Sequence, residues 1–199
     1  TGGTIAFAME CVERGLLDEP WLRFGDGASL LKAIHLIGTG AGLGKLLRLG
    51  SRAMANIIGH NSIAFAPQVK GLEIPGYEPR ALQTMALGFA VGTRGADHNR
   101  SGAYEIDFSD TADRRNGTAA AARLAVDTED RAAIMGSLIL CKFLRGGFID
   151  YFAETDELLN LSTGWDLDQS AMENMARGII DAKKEFNIRC GWTPVEDTL

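Results

Sequence analysis

Apolar residues recur at helical spacing through most of this chain, and Gly and Pro interrupt them at short intervals. In "ASLLKAIHLI", Leu30, Leu31, Ile34 and Ile37 fall on one face of a 3.6-residue repeat, the mark of a helix and not of a strand. The same pattern predicts helices over 5–17, 43–58, 80–91, 130–144, 155–161 and 169–186. Pro20 is the expected stop of the first, Pro79 suits the first turn of the helix over 80–91, and Asp168 suits the N-cap of the last. In "FAPQVKGLEIPGYEPR" the period shortens among Pro67, Gly71, Pro75, Gly76 and Pro79, which predicts a looping segment with at most a short strand pair. The fold class expected is therefore mainly α.

The glycines of "IGTGAGLGKLL" invite a phosphate-loop reading, and the residues reject it. A Walker loop needs Gly four residues before its Gly-Lys pair and a hydroxyl after the Lys, where this chain has Thr39 and Leu46. A dinucleotide motif would need a third Gly at Leu43. The expectation is a Gly-rich break between two helices.

Charge removes whole classes of partner. A net charge of -6 argues against nucleic acid or an anionic membrane as a partner, because both need a basic face. No uncharged apolar run approaches the ~18 residues of a membrane span. Cys11, Cys141 and Cys190 are odd in number and widely spaced, which argues against a disulfide framework and for a reducing, cytoplasmic setting. The chain enters an amphipathic helix without an initial Met or a charged leader, so it reads as a piece of a longer polypeptide. Its organisation is read as 1–125, a helical domain carrying a loop at 92–116, and 126–199, a C-terminal helical segment.

That loop holds the densest chemistry. "GTRGADHNRSGAYEIDFS" sets Arg94, Asp97, His98, Arg100, Tyr104, Glu105 and Asp107 between glycines, and it is too long for an ordinary connection. Asp97 and Asn99 flank His98 and suit an imidazole held in one tautomer for acid-base work. In "ILCKFLRGG" the apolar neighbours of Cys141 predict a buried core thiol, while Lys142 and Arg145 would favour a thiolate.

Taken together, "TGGTIAFAMECVERGLL", "VKGLEIPGYEPRALQTMALGFAVGTRGADHNR", "LILCKF" and "LLNLSTGWDLD" resemble, in order, the C-terminal half of the tungsten-containing aldehyde ferredoxin oxidoreductase family. The resemblance implies two helical domains without the family's N-terminal β domain, which holds the pterins. It implies a tungsten or molybdenum bis-pterin and a 4Fe-4S cluster, with Cys141 as the fourth cluster ligand in place of a core thiol. His98 matches the histidine beside the metal, and Tyr77 a tyrosine found there in some members. Thr1 and Gly2 match the end of the first pterin motif, while Arg100 and Lys142 fall on further pterin contacts. The implied partners are the N-terminal half of the same protein, a ferredoxin or iron-sulfur subunit, and an aldehyde or acyl-CoA substrate, in an oligomer.

One departure stands out. The second pterin motif of the family reads D-S-L-G-L-C, and here it is "GSLILC", with Gly136 for the Asp and Ile139 for the Gly. A missing carboxylate removes a charge-assisted acceptor worth about 1.5 to 3 kcal/mol. The function the resemblance implies is oxidation of aldehydes to carboxylic acids. The alternatives are the active-site subunit of an aromatic acyl-CoA reductase and a non-catalytic structural relative, which the loss at Gly136 would suit.

Overall fold

Glycines, more than prolines, decide where the helices stop. The computed structural model describes residues 1–199, with ten α-helices, three short 3-10 turns and one two-stranded sheet. The mainly α class read from the sequence is observed. The chain forms two units, Thr1–Gly76 and Tyr77–Thr198.

The first unit begins with α1 (Gly2–Glu13), which buries Ile5, Phe7, Ala8, Met9 and Cys11. Fully burying side chains such as Ile or Phe contributes about 1.5–3 kcal/mol each. Leu22, Ala33, Leu47 and Met54 complete this core. The helix does not run on to Pro20. Gly15 adopts φ 70°, and the bonds Gly15 N–H to Val12 O (3.0 Å) and Leu16 N–H to Cys11 O (2.8 Å) form a Schellman end.

Helix α2 (Gly27–Thr39) is capped by Asp26, which accepts from the Ala28 N–H, and closed by left-handed Gly40. The expected helix over 43–58 is two, α3 (Gly44–Leu47) and α4 (Ser51–Ile58), because Gly50 takes φ 84° between them. The Gly-rich break is as expected, and Gly44 explains part of it. A Cβ there would lie 1.9 Å from the Leu36 carbonyl oxygen, so only glycine lets the two backbones approach.

The short strand pair exists: β1 (Gln68–Val69) pairs antiparallel with β2 (Leu72–Glu73), Gln68 opposite Glu73 and Val69 opposite Leu72. Lys70 and Gly71 turn it with positive φ at both positions. From β2, Glu73 accepts from the Thr4 hydroxyl (2.9 Å) and the Ser51 N–H (2.6 Å), tying α1 and α4 to the hairpin.

In the second unit, α5 (Gln83–Val91) starts later than expected from Pro79. Buried Asp107, distant in sequence, accepts from the Thr84 (3.1 Å) and Met85 (2.8 Å) N–H groups and so caps it. The 92–116 loop carries two short helices, α6 (His98–Ser101) and α7 (Tyr104–Asp107).

Helix α8 (Ala119–Ser137) begins well before residue 130, at a Thr118 cap, and 125/126, where the sequence reading divides the chain, lies inside it. It also ends early. Ile139 takes φ 59°, and the bonds Ile139 N–H to Gly136 O (3.4 Å) and Leu140 N–H to Met135 O (3.0 Å) form a second Schellman end. A 3-10 turn, Lys142–Gly146, follows. Helices α9 (Tyr151–Thr163) and α10 (Gln169–Arg189) complete the unit, the latter capped by Asp168 as expected. Ile134 and Met135 of α8, Tyr151 of α9, and Met172 and Ala176 of α10 form its core.

Candidate functional site

Local folding sets His98 in place. Asp97 is the N-cap of α6, and its Oδ1 accepts from the Asn99 N–H (3.0 Å) while Oδ2 accepts from Arg94 Nη1 (3.0 Å). Arg100 Nε lies 3.7 Å from the same Oδ2. The carboxylate beside His98 therefore caps the helix and holds two guanidiniums, and does not bond the imidazole. The sequence reading gave it the imidazole, and the cap is the competing use that prevailed.

Aromatic rings position the imidazole instead. Tyr77 lies 4.9 Å from His98 and 5.0 Å from Tyr104 between ring centroids, and Phe108 sits 6.3 Å from Tyr77. Stacking at such distances adds about 0.5–1.5 kcal/mol per aromatic pair. Partial burial holds the His98 imidazole below its usual pKa, Asp97 offsets part of this, and Arg145 and Lys142 add to the lowering. His98 is therefore neutral at neutral pH, the form that accepts a proton.

A rim of cations surrounds this stack. Arg145 lies 5.3 Å above the Tyr104 ring and pairs with Glu105 at 3.4 Å. Burial lowers the Lys142 ammonium pKa, and the nearby Arg100 lowers it further. Lys142, Arg145, Arg131 and Glu105 line a small cavity with Tyr151, whose buried hydroxyl has no hydrogen-bond partner. The sequence reading left out Tyr151 and Lys183, because each sits in a helix whose pattern reads as ordinary packing or solvated surface.

Cys141 is exposed, which corrects the expectation of a core thiol drawn from its apolar neighbours. The reason lies in the backbone: the left-handed turn at Ile139 ends the helix, and Ile139 and Phe143 are themselves 91% and 92% exposed. Cys11, by contrast, is buried, and burial pushes its thiol up to about 11. Gly136 lies against Arg100, whose Nη1 would be 3.2 Å from a Cβ at that position. Thr1 and Gly2 lie in the first unit, Thr1 as an N-cap without a side-chain bond and Gly2 with open space around its Cα. Tyr77, His98, Arg100, Gly136, Cys141 and Lys142 lie in the second.

No three His, Cys, Asp or Glu side chains gather as a metal donor set. What the chain offers beside the cationic rim is the exposed thiol of Cys141, which fits a share in a site completed by other ligands and an anionic cofactor; a second exposed thiol, Cys190, follows α10.

The family model described as "Aldehyde ferredoxin oxidoreductase, domains 2 & 3" matches residues 1–199. A tungsten-containing aldehyde ferredoxin oxidoreductase of Thermococcus kodakarensis is 30% identical over 99% of this chain and 33% of its own length. Its counterpart from Pyrococcus furiosus is 31% identical over the same shares. An aliphatic sulfonate oxidoreductase, WOR-like subunit, of Pyrococcus furiosus is 32% identical over 52% of this chain and 18% of its own length. The chain thus spans about a third of the length of the aldehyde oxidoreductases it matches. No helix is long and apolar enough to cross a membrane.

Proposed function

We propose, for a chain that belongs to the aldehyde ferredoxin oxidoreductase family as its domains 2 and 3, that it forms the helical part of an enzyme oxidising aldehydes to carboxylic acids. The observation that carries the reading is the ring-stacked His98 at the start of α6, with Tyr77 at 4.9 Å and the cations Arg145 and Lys142 near enough to lower its pKa along with burial. Oxidation of an aldehyde with water to the acid releases two electrons and two protons. When bound, a tungsten or molybdenum bis-pterin and a 4Fe-4S cluster would supply the redox chemistry and the path to a ferredoxin-type acceptor.

The residues of this chain do the rest. His98 accepts a proton released as the acid forms, and Tyr77 orients the substrate oxygen. Tyr104, 5.9 Å from the imidazole between ring centroids, excludes water from one side of it. Cys141, held out of the core by the turn at Ile139, would give one thiolate to the cluster, whose other ligands would come from the upstream part of the enzyme. Arg100 and Lys142 of the second unit would contact the pterins, Gly136 leaving room for the Arg100 guanidinium; in the first unit Thr1 and Gly2 would offer backbone groups to a pterin. In this reading the enzyme works in the cytoplasm, with its upstream half and an iron-sulfur electron acceptor as partners.

The test is to purify the full-length protein without oxygen, measure tungsten, molybdenum and iron, and assay aldehydes with a low-potential dye. Bound metal with aldehyde turnover, and iron lost in Cys141→Ala, are the expected results. Full iron in Cys141→Ala overturns the ligand assignment. Absence of metal in the wild type would make the chain a structural relative, the outcome that Gly136 in place of a carboxylate would explain.

A further inference from the structure

A groove of about 440 Å³ runs between the segment before α6 and the C-terminal half of α10, lined by Thr93, Arg94, Arg100, Lys183, Phe186 and Asn187. Its charges do not balance. Arg94 and Arg100 share the single carboxylate of Asp97, which is also committed to capping α6. Lys183 forms no ion pair: the acid that acts on it, Glu129, shares Arg177 with Asp130, which lies closer to that guanidinium, and neighbouring Lys184 is bonded to Asp197 at 2.8 Å. With Arg177 and its two acids counted, four cations (Arg94, Arg100, Lys183, Arg177) stand against three carboxylates (Asp97, Glu129, Asp130), and one positive charge is left over on the groove side.

We propose that Arg94, Arg100 and Lys183 form a binding site for a phosphate group. A phosphate monoester presents three strong acceptor oxygens, one for each of these cations, whereas a carboxylate presents two. The two guanidiniums offer planar donor forks that suit phosphate oxygens, and the ammonium adds a point charge from the opposite wall. The walls are held before any ligand arrives, because Asn187 Nδ2 on α10 donates to the Thr93 carbonyl at 2.7 Å. Gly136 keeps the charge unpaired: with no side chain there, Arg100 meets no carboxylate from α8 and occupies the space itself. Burial and the facing Arg100 lower the Lys183 pKa, and Glu129 offsets part of this.

The site stands on this groove alone and needs no turnover, so a failure of the redox reading leaves it intact. The experiment titrates inorganic phosphate into the full-length protein, once as purified with cofactor and once from cells that make no pterin, with phosphorus NMR and calorimetry as readouts. Saturable binding in the cofactor-free protein is expected, weakened about ten-fold or more in Lys183→Gln and in Arg94→Gln, with circular dichroism confirming that each variant is folded. If the loaded protein refuses phosphate, the group bound is the cofactor's own. If it still binds, the site serves a free or substrate-borne phosphate. Either result sustains the site. Absence of saturable binding in both forms, or unchanged affinity in both folded variants, overturns it.

Discussion

Helices α1 and α8 end in the same pair of hydrogen bonds around one left-handed residue, yet α1 places Gly15 there and α8 places Ile139. A β-branched side chain in that conformation is strained by roughly 1–2 kcal/mol, and glycine is not. The end of α1 is the relaxed solution, near the buried Cys11. The end of α8 keeps its strain two residues from an exposed cysteine. Strain of this kind persists where something other than local stability selects it, and in the function proposed above that is the placing of Cys141.

The comparison breaks most severely at another glycine. Gly44 has no positive φ to satisfy but has Leu36 O at 1.9 Å from its absent Cβ. Gly44→Ala should therefore cost about 3 kcal/mol or more, because one backbone must move away from another. Urea unfolding measures this, and a loss under about 1 kcal/mol would mean that the two helices part easily.

Gly15→Ile transplants the α8 solution onto α1. Nothing lies within 4 Å of a Cβ at Gly15, so the cost is conformational alone and should be about 1–2 kcal/mol in the same measurement. The reverse change is the smallest. Ile139→Gly should stabilise by about 0.5–1 kcal/mol, the strain relieved less the entropy that glycine loses on folding. A destabilised Ile139→Gly would mean that the isoleucine, exposed as it is, supports the turn by packing.

The sequence made α2 and α10 legible because both carry capping aspartates ahead of a clear apolar period, Asp26 and Asp168. It misplaced the start of α8, where "AAAARLAV" offers alanines in place of an apolar stripe and only the Thr118 cap signals the helix. The break at Gly50 and the cap of α5 by Asp107 were hidden because both depend on partners far along the chain, Glu73 and Asp107 themselves. Within the site, the loop motif pointed to His98 and Arg100, but the partner of each depends on the fold. Asp97 turned to the backbone and the arginines, and Tyr77 came from outside the loop to meet the imidazole. Lys183 carried no signal, since a lysine in "DAKKEF" reads as solvated surface until α10 is placed opposite Arg100.

The central claim is that His98 moves a proton, and the pH dependence of aldehyde turnover by the full-length enzyme tests it most directly. Burial lowers the imidazole pKa, so the proton-accepting form persists at neutral pH and is lost as pH falls through a midpoint below the usual 6.5. The wild type should show that acid limb. His98→Asn, with metal content unchanged, should lose it along with about 10²- to 10⁴-fold in rate. An unaltered rate and an unaltered acid limb in the metal-replete variant would contradict the account.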